Sequence, residues 1–103
     1  MFFAGSSLYP VKHPHIDQLA YQEAEVQFNN GNFSGAQQKF EDYLKKFPEG
    51  KYSLGANFYK SEMYASQKNW IKAVTGYQMV ADKAPNKFAE KSILQAARIN
   101  FLT

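Results

Sequence analysis

The chain has 103 residues, enough for one small domain, and its 45% hydrophobic content can build a core, which excludes an intrinsically disordered chain. It contains no cysteine, so disulfide scaffolds, thiolate metal sites and cysteine nucleophiles are excluded as well. No run approaches the roughly eighteen apolar residues of a membrane-spanning helix, and a net charge of +3 spread along the chain is not the footprint of a nucleic-acid binder. Aromatic residues make up 17%, nearly all Phe and Tyr, and alanine supplies the small side chains against which such rings can pack.

Residues 1–14 read as an opening segment with no basic stretch or small-residue cleavage site of a signal peptide. In His13-Pro14-His15 the proline splays the two imidazoles along an extended segment, so no metal is expected there and Pro14 is expected to open a helix. From Ile16 to Asn30 the apolar positions Ile16, Leu19, Ala20, Ala24 and Phe28 fall at threes and fours, the spacing of one helix face. Asn29-Asn30-Gly31 breaks that helix, and Asn32 can cap a second one over about Ser34–Lys46. The second helix carries Ala36, Phe40, Tyr43, Leu44 and Phe47 inward, with Lys45 and Lys46 suiting its negative C-terminal end. A third helix is expected over about Ser53–Gln67. Asn69 caps a fourth over about Ile71–Lys83, and a fifth starts near Phe88 with Ile93, Leu94, Ala97, Ile99 and Phe101. The expected fold class is all-α: five helices, no strands, in antiparallel pairs joined by short turns.

The chain also repeats itself. Asn32-Phe33 with Ala36 and Phe40 returns as Asn69-Trp70 with Ala73 and Tyr77, a period of 37 residues. Phe47-Pro48 is answered by Ala84-Pro85 at the same period, and Tyr9-Pro10 precedes Phe47-Pro48 by 38. This pattern, from about Ile16 to the C-terminus, resembles the tetratricopeptide repeat family. It rests on Ala24, Gly31, Phe33, Ala36, Phe40 and Pro48 in one repeat and on Ser61, Tyr64, Trp70, Ala73, Tyr77 and Pro85 in the next. Three features depart from the family pattern. The period exceeds the usual ~34 residues, Lys68 replaces the turn glycine, and Gln27 stands where an aromatic is common. The extra residues fall in the stretch after Pro48, and the turns ending in Lys51-Tyr52 and Lys87-Phe88 look like the bacterial envelope subgroup. That subgroup includes the outer-membrane assembly lipoprotein and the Tol–Pal-associated periplasmic protein, so the resemblance implies a bacterial periplasm or cell envelope.

What the resemblance implies for the fold is a right-handed α-solenoid of stacked helix hairpins. The division would be 1–14 as the remnant of a preceding repeat, 15–50 and 51–87 as two repeats, and 88–103 as the first helix of a truncated third. Both ends then read as cut through repeats, and self-association through the uncapped Ile99–Leu102 end is expected. For function it implies a concave groove lined by the first helix of each repeat. The matching groove positions are Tyr21, Gln22 and Glu25, then Phe58, Tyr59 and Glu62, then Gln95 and Arg98. A clamp for a terminal carboxylate is excluded, because Tyr21 and Glu25 stand at the clamp positions and Glu25 would repel the ligand.

Signals for catalysis are absent from the sequence. Adjacent carboxylates such as Glu41-Asp42 diverge by about 100° on a helix, and no glycine-rich phosphate loop occurs. The expectation is therefore a non-enzymatic scaffold for a protein or peptide partner, with no cofactor, no metal, no nucleic acid and no direct membrane insertion. Two alternatives stay open: a structural spacer with an empty groove, or an envelope or anionic-surface contact through the lysine-rich turns.

Overall fold

A computed structural model describes residues 14–102, with side chains described from 16 to 101. Five helices occur among the described residues and no strand: α1 (Pro14–Asn29), α2 (Phe33–Lys46), α3 (Ser53–Ser66), α4 (Trp70–Ala81) and α5 (Ala89–Leu102). The expected helix bounds hold to within two residues, and α1 opens at Pro14 as its fixed φ and missing N–H favour. The segment before Pro14, with Tyr9-Pro10, His13 and the expected remnant of a preceding repeat, lies outside the described residues, as does the side chain of His15.

The two short turns are built alike. After α1 the Asn32 N–H reaches the Gln27 carbonyl at 2.9 Å and the Gly31 N–H reaches Phe28 at 3.0 Å. After α3, Asn69 reaches Tyr64 at 2.8 Å and Lys68 reaches Ala65 at 3.0 Å. This six-to-one pairing satisfies the last carbonyls of a helix and requires a left-handed residue at its centre. Gly31 holds φ 84°, and Lys68 holds φ 61° in the equivalent place. The asparagine that ends each turn then starts the next helix. Asn32 accepts from the Gly35 N–H at 3.2 Å, and Asn69 accepts from the Lys72 N–H at 3.5 Å. A lysine in the left-handed region carries a Cβ clash that glycine lacks. Lys68→Gly should therefore raise stability by about 1 kcal/mol in urea unfolding, whereas Gly31→Ala should lower it. Nothing lies within 4 Å of the Cβ added at Gly31, so that change reports the backbone alone.

Each helix packs chiefly on its neighbours in the chain: α1 on α2, α2 on α3, α3 on α4 and α4 on α5. Two clusters result, with α3 shared. The first gathers Tyr21, Ala24, Ala36, Phe40, Tyr43, Ala56 and Met63; the second gathers Phe58, Ala73, Tyr77, Val80, Ala96 and Ile99. Four pairs of positions 37 apart share the same burial. Tyr21 and Phe58, Ala36 and Ala73, Phe40 and Tyr77, and Tyr43 and Val80 are all buried. Ala36 and Ala73 are wholly inaccessible, as expected where small residues let helices approach and aromatic rings fill the space around them.

Which face of α1 and α5 turns inward differs from the sequence expectation. Ala24 is buried as expected, but Ile16 and Leu19 are 52% and 58% exposed, and α1 buries Tyr21 in their stead. On α5 the inward residues are Ala89, Ser92, Ala96 and Ile99, while Ile93, Leu94 and Phe101 face outward. The apolar end expected over 99–102 is therefore divided, because Ile99 belongs to the core and Phe101 is 89% exposed. Both helices bear apolar residues around much of their circumference, and the close approach available beside an alanine decides which stripe packs.

Candidate functional site

A cleft of about 340 Å³ opens between α1, the first turn of α3 and the connection that leads into α5. Its wall on α1 includes Tyr21, Gln22 and Glu25, and its opposite wall includes Lys51, Tyr52, Lys87 and Phe88. The rings are held from behind. The Tyr52 N–H donates to the Tyr43 hydroxyl at 3.0 Å, and the Tyr52 ring stacks on Tyr21 with centroids 4.8 Å apart. Asn86 clasps the other turn: its amide donates to the Val80 carbonyl at 3.0 Å and its Oδ1 accepts from the Phe88 N–H at 2.9 Å. Phe88 in turn stacks on Phe58 at 5.0 Å. Gly55 lets Tyr21 lie across α3, since a Cβ there would strike the tyrosine hydroxyl.

The charges around the cleft are arranged unevenly. Lys51 and Lys87 each place an ammonium over the ring that follows in sequence, 5.7 Å from Tyr52 and 5.5 Å from Phe88. Such a contact is weak at an exposed site but fixes where the charge sits. On the α1 side, Glu25 accepts a hydrogen bond from the Tyr59 hydroxyl at 3.1 Å. Burial, with the Glu25 charge second, pushes the Tyr59 hydroxyl up to about 12 and raises Tyr21 further in the same direction. These phenols stay protonated at neutral pH and serve as donors.

The eight expected groove residues do not form one surface. Tyr21 and Phe58 are core side chains, 6% and 4% exposed, and so correct the expectation that they stand free as anchors. The reason is the ring-on-alanine packing of the helix pairs, which draws the aromatic at this position inward. Tyr59 is half-buried, stacked on Phe40 at 5.0 Å and packed beside Phe28 at 4.9 Å. Its truncation would thus cost stability as well as any contact with a partner. Glu62 is engaged inside the fold: it accepts from the buried Tyr77 hydroxyl and from the Gln95 amide at 3.0 Å, with Lys91 at 3.8 Å. Arg98 donates to Gln95 at 3.2 Å, so Glu62, Gln95 and Arg98 form a network that ties α3, α4 and α5 together. Only Tyr21, Gln22 and Glu25 of the eight reach the cleft.

Lys51, Tyr52, Lys87 and Phe88 were not among the expected site residues. Their signal was present as the lysine–aromatic pair that follows each of Pro48 and Pro85, read there as a family-like turn and, in the alternative, as a basic edge for an anionic surface. Among the described residues no three of His, Cys, Asp and Glu converge as metal ligands do, and no helix is long and apolar enough to cross a membrane. Compared with known proteins, the chain matches no family model, no curated protein and no solved structure.

Proposed function

We propose that this chain is a non-catalytic interaction scaffold, a tetratricopeptide-like array of helix hairpins winding as a right-handed α-solenoid and holding a segment of a protein partner. The observation that carries this reading is the cleft on the α1, α3 and α5 side, where the Tyr52 and Phe88 rings meet a polar rim. Apolar rings with a few fixed polar groups are what a binding site for a peptide side chain requires. The 37-residue spacing of Ala36 with Ala73 and of Phe40 with Tyr77 supports the repeat reading. The fold's rigidity suits the role, because a preformed site loses little entropy on binding.

Blocking the cleft without touching the core tests this. Gln22 is exposed and lines the cleft, so Gln22→Trp should fill it and leave the melting temperature and helical circular dichroism unchanged. Peptides selected from a displayed random library on the wild-type protein should bind the variant about tenfold more weakly or worse. A library that yields no binder would reduce the chain to a spacer. Binders indifferent to Gln22→Trp would place the interaction on another surface.

A further inference from the structure

We infer that the cleft takes an extended acidic segment of a partner protein that carries one aromatic side chain between its carboxylates. The inference rests on the scaffold reading and names the chemistry of the partner. Size excludes the helical alternative. About 340 Å³ lies at the small end of ligand pockets, room for one large side chain and a short run of main chain. A helix, about 10 Å or more across with its side chains, does not enter.

Charge selects among extended segments. Two other lysines are already paired, Lys39 with Glu23 at 3.7 Å and Lys91 with Glu62 at 3.8 Å. Lys51 and Lys87 have no carboxylate partner among the described residues, although both border the cleft. They arrive there from turns 36 residues apart in sequence, each held over its own aromatic neighbour. The first turns of α3 and α5 follow these lysines directly, and the positive ends of the two helix dipoles add to the same potential. The Glu25 carboxylate across the cleft accepts from the Tyr59 hydroxyl and keeps its charge, so the acidic groups of the segment lie on the lysine side, away from α1. Each ammonium sits over its own ring, and the Tyr52 and Phe88 rings that line the cleft offer a surface for an aromatic side chain in offset or edge contact. An aromatic residue flanked by Asp or Glu satisfies both features at once.

A dye-labelled synthetic peptide with one phenylalanine between pairs of acidic residues is the probe, titrated against the full chain by fluorescence anisotropy. It should bind, bind more weakly as salt is raised, and lose about tenfold in affinity to Lys51→Ala/Lys87→Ala. The double variant Lys45→Ala/Lys46→Ala removes the same charge from the last turn of α2, outside the cleft lining, and should leave binding within about twofold. Both lysine pairs are exposed, so the variants should keep the wild-type melting temperature. Failure of the acidic peptide to bind, equal loss in the two double variants, or tighter binding of the matching lysine-flanked peptide would each overturn the inference. So would binding to phosphatidylglycerol vesicles, in preference to the peptide, that is lost in Lys51→Ala/Lys87→Ala. Library peptides that are neutral or basic yet blocked by Gln22→Trp would sink the acidic specificity and leave the scaffold reading standing.

Discussion

Phe40→Ala should destabilise the fold by about 3–5 kcal/mol, the range for removing a large ring from a packed core. Phe40 is wholly buried, stacks on Tyr59 of α3 at 5.0 Å, and meets Tyr21 of α1 edge-on at 5.8 Å. One side chain of α2 thus joins three helices. A small domain has only about 5–15 kcal/mol in total, so the variant should be largely unfolded in mild urea. Phe101→Ala supplies the contrast. That ring is 89% exposed on α5, and its loss should change stability by no more than about 0.5 kcal/mol. Equal effects at the two positions in urea unfolding would mean that α2 does not sit between α1 and α3.

Alkaline pH should unfold the protein steeply. Burial is the leading cause that raises Tyr21, Tyr43 and Tyr77 above the usual value of 10.0, and the Glu25 and Glu62 carboxylates push Tyr21 and Tyr77 further up. An unfolded tyrosine releases its proton near 10, while these side chains keep theirs in the fold. Below that pH both states are protonated and nothing is gained or lost. Above it the unfolded state binds fewer protons, so stability falls as pH rises through the raised values. Between its unfolded and folded values each strongly shifted tyrosine contributes about 1.4 kcal/mol per pH unit. Tyr21, Tyr77 and Tyr59, which burial and a neighbouring carboxylate raise furthest, together contribute about 4 kcal/mol per pH unit, and Tyr43 adds in the same direction. Urea midpoints measured from about pH 9 to about pH 12 should stay level at first and then collapse. Tyr77→Phe removes one titrating group and should lower the slope by about a third. A flat profile across that range would show that these hydroxyls are not held away from water.

Local chemistry was enough to write the helices. Asn32 and Asn69 cap because a short side-chain carbonyl can reach the N–H three residues on, whatever else the chain does. Gly31 ends a helix because it enters the left-handed region without strain. Lys68 stands at the turn glycine's place in the sequence, and the six-to-one hydrogen bond from Asn69 to Tyr64 shows that the lysine is forced into the same left-handed conformation. The spacing of alanines and rings fixed which residues of α2 turn inward, because that helix has one dominant apolar stripe, and the repeat carried the same positions, Ala73 and Tyr77, onto α4.

Only the tertiary structure decided the rest. In α1 and α5 apolar residues cover much of the helix, so periodicity found Ala24 but could not choose between Ile16 with Leu19 on one side of it and Tyr21 on the other. The neighbour did, by offering a close approach to alanine and a ring to stack upon. The same packing took Phe58 out of any groove, left only the edge of the buried Tyr21 at the cleft and enclosed Glu62 with Tyr77. It also brought Lys51-Tyr52 and Lys87-Phe88 to one cleft. Their adjacency depends on how α2 through α5 stack, a sum of many small packing choices, and nothing local in either turn encodes it.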